Sequence, residues 1–227
     1  LSAVDSFPHN HTVPFRAWLD GLIAEFRHHH RAVPLRPRRF LSQIHAVGAV
    51  AVGACRLFGS ERNAAVLVEQ LEVCQTQARE MFREFTRSLT YTYVTPIDAE
   101  DMERLARRFL KLLNTLVDAA HALQNFPLPG HDFTDFREKL DGCADSLEEA
   151  LHAMVQGQPM LNPTRELWNR YRAAYFETRQ RRTQALLASM PYEQFLRLDA
   201  VYRDLKRILR QFREITSDLR EIRLKNS

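Results

Sequence analysis

Glycine, cysteine and lysine are all scarce in this chain, and each scarcity closes off a class of function. The 227 residues hold seven glycines. None belongs to a Gly-rich phosphate loop or a G-x-S-x-G turn, and no H-E-x-x-H motif is present, so no enzyme is expected. The three cysteines, Cys55, Cys74 and Cys143, are odd in number and far apart, which makes no disulfide framework. They point to reduced thiols and a cytoplasmic setting, and no activating base accompanies them in sequence. Of 32 basic residues only Lys111, Lys139, Lys206 and Lys225 are lysines. Such arginine excess follows genomic base composition and is weak evidence for nucleic-acid binding; a net charge of +4 is mildly basic.

Long apolar runs are missing as well. No stretch reaches the roughly 20 apolar residues of a membrane-spanning helix. "RPRRFLSQIHAVGAVAVGAC" (36–55) has the basic start and small-residue end of a lipoprotein signal, but Gln43 and His45 interrupt its centre and it lies far from residue 1. It is read as a helix of the fold. Strand alternation and Asn-Gly or Asp-Gly hairpin turns are absent too, so the expected class is all-α.

Prolines at 8, 14, 34, 37, 96, 127, 129, 159, 163 and 191 punctuate the chain. The helical periods between them predict six main helices at about 38–58, 60–93, 96–124, 132–157, 163–189 and 191–224. They group as residues 37–125 and 131–225, two tandem three-helix bundles of long antiparallel helices. "TPIDAEDMERLARRFLKLL" (95–113) and "MPYEQFLRLDAVYRDLKRI" (190–208) align without gaps, matching Pro96 to Pro191 and Leu110-Lys111 to Leu205-Lys206. Helices this long, about 45 Å at 1.5 Å per residue, bury their apolar faces best in paired bundles. Residues 1–36 read as a partly disordered appendage with one short helix, "FRAWLDGLIAEFRHHH". Six of the nine histidines fall in the first 45 residues, but without zinc-type spacing they read as a solvated tract.

The third helix opens with a strong start signal. Thr95 is suited to cap it, Pro96 to stand at its first position, and Asp98, Glu100 and Asp101 to face the positive end of its dipole. Met102, Leu105, Phe109, Leu112, Leu113 and Leu116 then form an apolar stripe. "YVTPIDAEDMERLA" (93–106) resembles the signature of the PhoU-like family of Pit accessory proteins, regulators of inorganic phosphate transport. Val94, Thr95, Pro96, Ile97, Asp98, Glu100 and Asp101 carry the likeness; Ala99 replaces the family's arginine. The resemblance covers about residues 38–224 and implies the double three-helix bundle. It also implies docking on the cytoplasmic face of a membrane phosphate transporter.

The resemblance further implies acidic clusters that bind metal on the second and third helices of each bundle. Here those places hold Gln77, Arg79, Leu110, Lys111 and Asn114, with Leu205, Lys206 and Leu209 in the sixth helix. Hard cations need several oxygen ligands, so no metal site or cofactor is expected, and Lys111 and Lys206 are solvated or replace the metal charge.

Two other patterns carry alternatives. The sixth helix has a heptad seam, Leu198, Leu205, Phe212 and Leu219 alternating with Val201, Ile208, Ile215 and Ile222. It is either a core stripe or a contact with a second copy. The arginines of "RELWNRYRAAYFETRQRR" interleave with Trp168, Tyr171, Tyr175 and Phe176, but the aromatics fall at core spacing and no nucleic-acid partner is expected. The function the resemblance implies is a non-enzymatic accessory protein of phosphate transport, with homo-oligomerisation and peripheral contact with the membrane left open. The alternatives are a metal-binding helical protein and an oligomerising helical scaffold.

Overall fold

The computed structural model describes residues 15–31, 37–90, 97–125, 133–187 and 191–225. Within them the chain is all-α. Its helices are α1 (Phe15–Arg31), α2 (Pro37–Ser60), α3 (Ala64–Thr90), α4 (Ala99–Asn125), α5 (Thr134–Gln156), α6 (Leu161–Leu187) and α7 (Tyr192–Lys225).

Helix α2 sits at the centre. From Phe40 to Phe58 every residue but Ser42 is buried. Against the sequence reading, it is by length and composition the one described helix able to cross a membrane; it is apolar on every side because α1, α3, α4 and α5 all pack on it. Helices α2, α3 and α4 touch one another pairwise; α6 bridges α5 and α7. The two halves are joined by broad faces, α2 on α5 and α4 on α7, and a single apolar core runs from Leu19 to Ile222.

The segment read as an appendage contributes to that core. Leu19, Leu22 and Ile23 of α1 are buried, and Trp18 lies against α2 so closely that a Cβ on Gly53 would stand 2.4 Å from its ring. The remainder of residues 1–36, outside α1, falls beyond the described residues.

Helix α4 begins at Ala99, three residues later than the sequence signal suggests. Asp98 is the cap: its Oδ1 accepts from the Glu100 N–H at 3.0 Å and its carbonyl from the Met102 N–H at 3.0 Å. The role assigned to Thr95 thus belongs to Asp98, an equally good capping residue. Thr95 and Pro96 themselves lie outside the described residues. Ile97 before the cap and Met102 in the first turn are both buried, the positions of a hydrophobic staple. Asn63 caps α3 likewise, accepting from the Ala65 N–H at 3.1 Å. Gly157 ends α5 with φ 67°, while the Gln158 N–H reaches back to the Ala153 carbonyl at 2.8 Å.

Close approach of α2 to its neighbours makes a testable demand on Gly48. A Cβ there would lie 2.6 Å from Leu151 Cδ1 and 3.2 Å from the Phe109 ring. Gly48→Val should cost about 1–3 kcal/mol by overpacking, read as a lower urea midpoint. Gly21→Ala, where nothing stands within 4 Å, should stabilise by about 0.5–1 kcal/mol.

Candidate functional site

Of the acids at the head of α4, Asp101 is held in a charged seam between α4 and α7, while Asp98 and Glu100 stay exposed. Asp101, Arg104, Arg108 and Lys111 stand on one face of α4, three or four residues apart; Glu214, Asp218, Glu221 and Lys225 do the same on α7. The helices run antiparallel, so the two rows meet. Asp101 is 1% exposed and receives both the Arg104 guanidinium at 2.6 Å and the Lys225 ammonium at 2.8 Å. Arg104 also reaches Glu221 at 2.8 Å and Asp218 at 3.3 Å. Arg108 bonds Asp218 at 3.1 Å and Glu214 at 2.5 Å, and Lys111 meets Glu214 at 3.4 Å. The hydrogen bond to Asp101, with further help from Glu221, holds the Lys225 ammonium above its ordinary pKa. The arrangement also suits the dipoles: acids gather at the N-terminus of α4 and Lys225 at the C-terminus of α7.

The remaining substituted positions separate. Asn114 Oδ1 accepts from Gln75 Nε2 at 2.9 Å and from Arg79 at 3.3 Å, tying α3 to α4. Gln77 and Leu110 are half-buried, and Leu110 packs on the core. Lys111 faces the other way, toward α7, and Lys206 lies 5.7 Å over the Tyr175 ring at the α6–α7 seam. Among the described residues no three His, Cys, Asp or Glu side chains converge as a metal site requires. The substituted positions hold amides, cations and leucines, with no carboxylate to gather a hard metal ion.

The heptad residues Leu198, Leu205, Phe212 and Leu219 are 0–1% exposed, as are Val201, Ile208, Ile215 and Ile222. The seam is consumed inside this chain, where α7 packs on α4 and α6. The partner contact expected of Leu198, Leu205, Phe212 and Leu219 is thereby corrected: a side chain already sealed in one core has no surface left for a second copy.

A second charged cluster escaped sequence reasoning. Arg56, 4% exposed, leaves the apolar run of α2 and reaches across to α5. It bonds Asp145 Oδ1 at 2.8 Å and Glu148 Oε2 at 2.7 Å, with Asp141 at 4.0 Å. The three acids lie at spacings of four and three on α5, so they share a face. The available signal was a lone arginine in "GACRLF" together with that acid spacing. The guanidinium fills the place at which three carboxylates would otherwise gather a cation.

On the same α2–α5 interface His45 and His152 stack, ring centroids 4.8 Å apart. Burial, then the neighbouring His152, lowers the His45 pKa to about 4. All three cysteines are buried. Burial pushes the thiols of Cys74 and Cys143 up to about 12 and that of Cys55 well above its usual range, which leaves them poor nucleophiles. Where α5, α6 and α7 meet, a cleft bordered by Phe133, Phe136 and Tyr202, and by the Asp135–Arg181 and Lys139–Glu177 ion pairs, has about 10 Å³ of room, space for one water.

No family model and no curated protein matches this chain.

Two outcomes follow from these clusters. Arg56→Met leaves three carboxylates facing one another and should cost about 3 kcal/mol, the low end for breaking a buried pair because the acids border water; chemical denaturation measures it. His45 takes a proton near pH 6.5 when unfolded but only near 4 when folded. The unfolded chain therefore binds the proton first as pH falls, and stability is lost between those values by up to about 3 kcal/mol. Urea melts of wild type and His45→Leu at pH 7 and 4.5 should show a shallower loss in the variant.

Proposed function

We propose that this chain is a non-enzymatic accessory protein of inorganic phosphate transport that docks on the cytoplasmic face of a membrane phosphate transporter. The observation that carries the reading is the position of the signature. Ile97, Asp98, Glu100 and Asp101 open the third helix of the α2–α3–α4 trio, and Asp101 is the buried anchor joining that trio to α7.

The order of helices supports a PhoU-like double three-helix bundle, with α5, α6 and α7 as the second set. The broad α2–α5 and α4–α7 faces make the two sets act as one body. A mechanism routed through metal clusters finds no three converging ligands among the described residues; the reading therefore rests on contact between surfaces, helix against helix, or basic surface against acidic loops and headgroups. Of the alternatives, a metal-binding protein lacks converging ligands among the described residues, and the scaffold built on the α7 heptads lacks its seam.

The test is a crosslinked pull-down from native cells grown in high and in low phosphate. Enrichment of a phosphate transporter, changing with phosphate, is the expected result. Recovery of unrelated soluble partners alone under both conditions would sink the phosphate reading and leave the fold untouched.

A further inference from the structure

Charge is distributed very unevenly over this molecule. Helices α6 and α7 hold 15 Arg and Lys against 8 Asp and Glu, a net +7, whereas the whole chain is only +4. Two rows on their outer side concentrate it. Arg165, Arg172 and Arg179 recur every seven residues along α6, about 10 Å apart, and all three are exposed. Lys206, Arg213 and Arg220 recur every seven along α7, beside α6: Lys206 lies over Tyr175 and Arg220 over Trp168, at 5.7 and 4.6 Å. Among the described residues none of these six cations has a carboxylate partner, whereas Arg104, Arg108, Lys111 and Lys225 of the α4–α7 seam all do. Like charges at this density repel; the rings beneath Arg172, Lys206 and Arg220 offset part of that, and no carboxylate among the described residues does.

Exposed apolar side chains occur with them. Of seven large apolar residues exposed among the described residues, six lie on α6 and α7: Leu161, Phe176, Leu187, Tyr192, Leu196 and Leu224. The first three fall on the arginine row, because Leu161, Arg165, Arg172, Phe176, Arg179 and Leu187 share one face of α6 over about 40 Å. A row of cations with apolar side chains between and beyond them complements a surface that is anionic outside and oily just beneath. Single-stranded nucleic acid would instead want a series of open rings; here Trp168, Tyr171 and Tyr175 are packed against their neighbours, and the exposed rings of Phe176 and Tyr192 lie on different helices and form no series.

We infer that the outer α6–α7 face is a docking surface for an anionic lipid bilayer, with Arg165, Arg172 and Arg179 over the headgroups and Leu161, Phe176 and Leu187 reaching below them. The inference does not need the transporter reading: protein-free vesicles test it alone, and a failed pull-down would leave it standing.

The experiment is flotation of the full chain with vesicles of phosphatidylcholine, alone or mixed with phosphatidylserine, at low and high salt. The wild type should float with the anionic vesicles only, and less so at high salt. The triple variant Arg165→Glu, Arg172→Glu, Arg179→Glu should lose about tenfold or more in partitioning, and Phe176→Ser a smaller factor. Arg62→Glu, Arg83→Glu, Arg87→Glu, the same charge change around exposed α3, should retain binding. Circular dichroism confirms that each variant is folded. Equal binding to neutral vesicles, equal loss in both triple variants, or binding to a single-stranded oligonucleotide in place of vesicles would each overturn the proposal.

Discussion

A helix that is apolar on every side must be enclosed on every side, and α2 is such a helix. Four neighbours surround it, and much of the architecture answers to that need. Helix α1 is drawn in from a Pro- and His-rich segment, with Trp18 pressed onto Gly53. Helix α5 crosses from the second half to cover the opposite side, close enough that Gly48 has no room for a side chain. Burial of apolar surface at about 25 cal/mol per Å² rewards this enclosure. Of the polar groups that α2 carries inward, Arg56 pairs with acids of α5 and His45 remains neutral beside His152, whereas both amide atoms of buried Gln43 have no hydrogen-bond partner among the described residues.

Charge is arranged on the opposite principle on the molecule's two flanks. Along α4 and α7, cations and anions alternate across the seam, so the contact is specific in register but presents little net field. Along the outer side of α6 and α7, the rows of Arg165, Arg172 and Arg179 and of Lys206, Arg213 and Arg220 stand without carboxylate partners among the described residues, though other cations of these helices are paired. The sixth and seventh helices thus use one side for cohesion and the other for a field that reaches outward, and the modest charge of the whole chain conceals both.

Much of the fold was legible because it rests on periodicity. The α7 stripe repeats for four heptads and left no doubt about a helix, though the pattern alone could not say whether the stripe met the same chain or another. The helix of residues 15–31 was visible, but its attachment was not, since Pro and His around it outweighed the short run of Leu19, Leu22 and Ile23. The start of α4 was misplaced because Thr95 and Asp98 are both good caps, and only the hydrogen bond to Glu100 distinguishes them. The charged clusters were the least legible. Arg56 and its acids are about ninety positions apart, 89 from Arg56 to Asp145, and no local rule links an arginine in an apolar run to a carboxylate on a later helix. Lys111 and Asn114 looked like one substituted cluster from their closeness in sequence, yet they point to different helices.

Lys225 bonds Asp101 across 124 positions. During synthesis at about 5–20 residues per second, Asp101, with Arg104 beside it, emerges some 6–25 s before its second cation, and Arg56 waits for the acids of α5. For that interval the nascent first half displays an unclosed apolar α2 and charges only partly matched. The chain cannot complete its first bundle on its own schedule, so its early life on the ribosome is an extended period of exposure to chaperones and to other nascent chains.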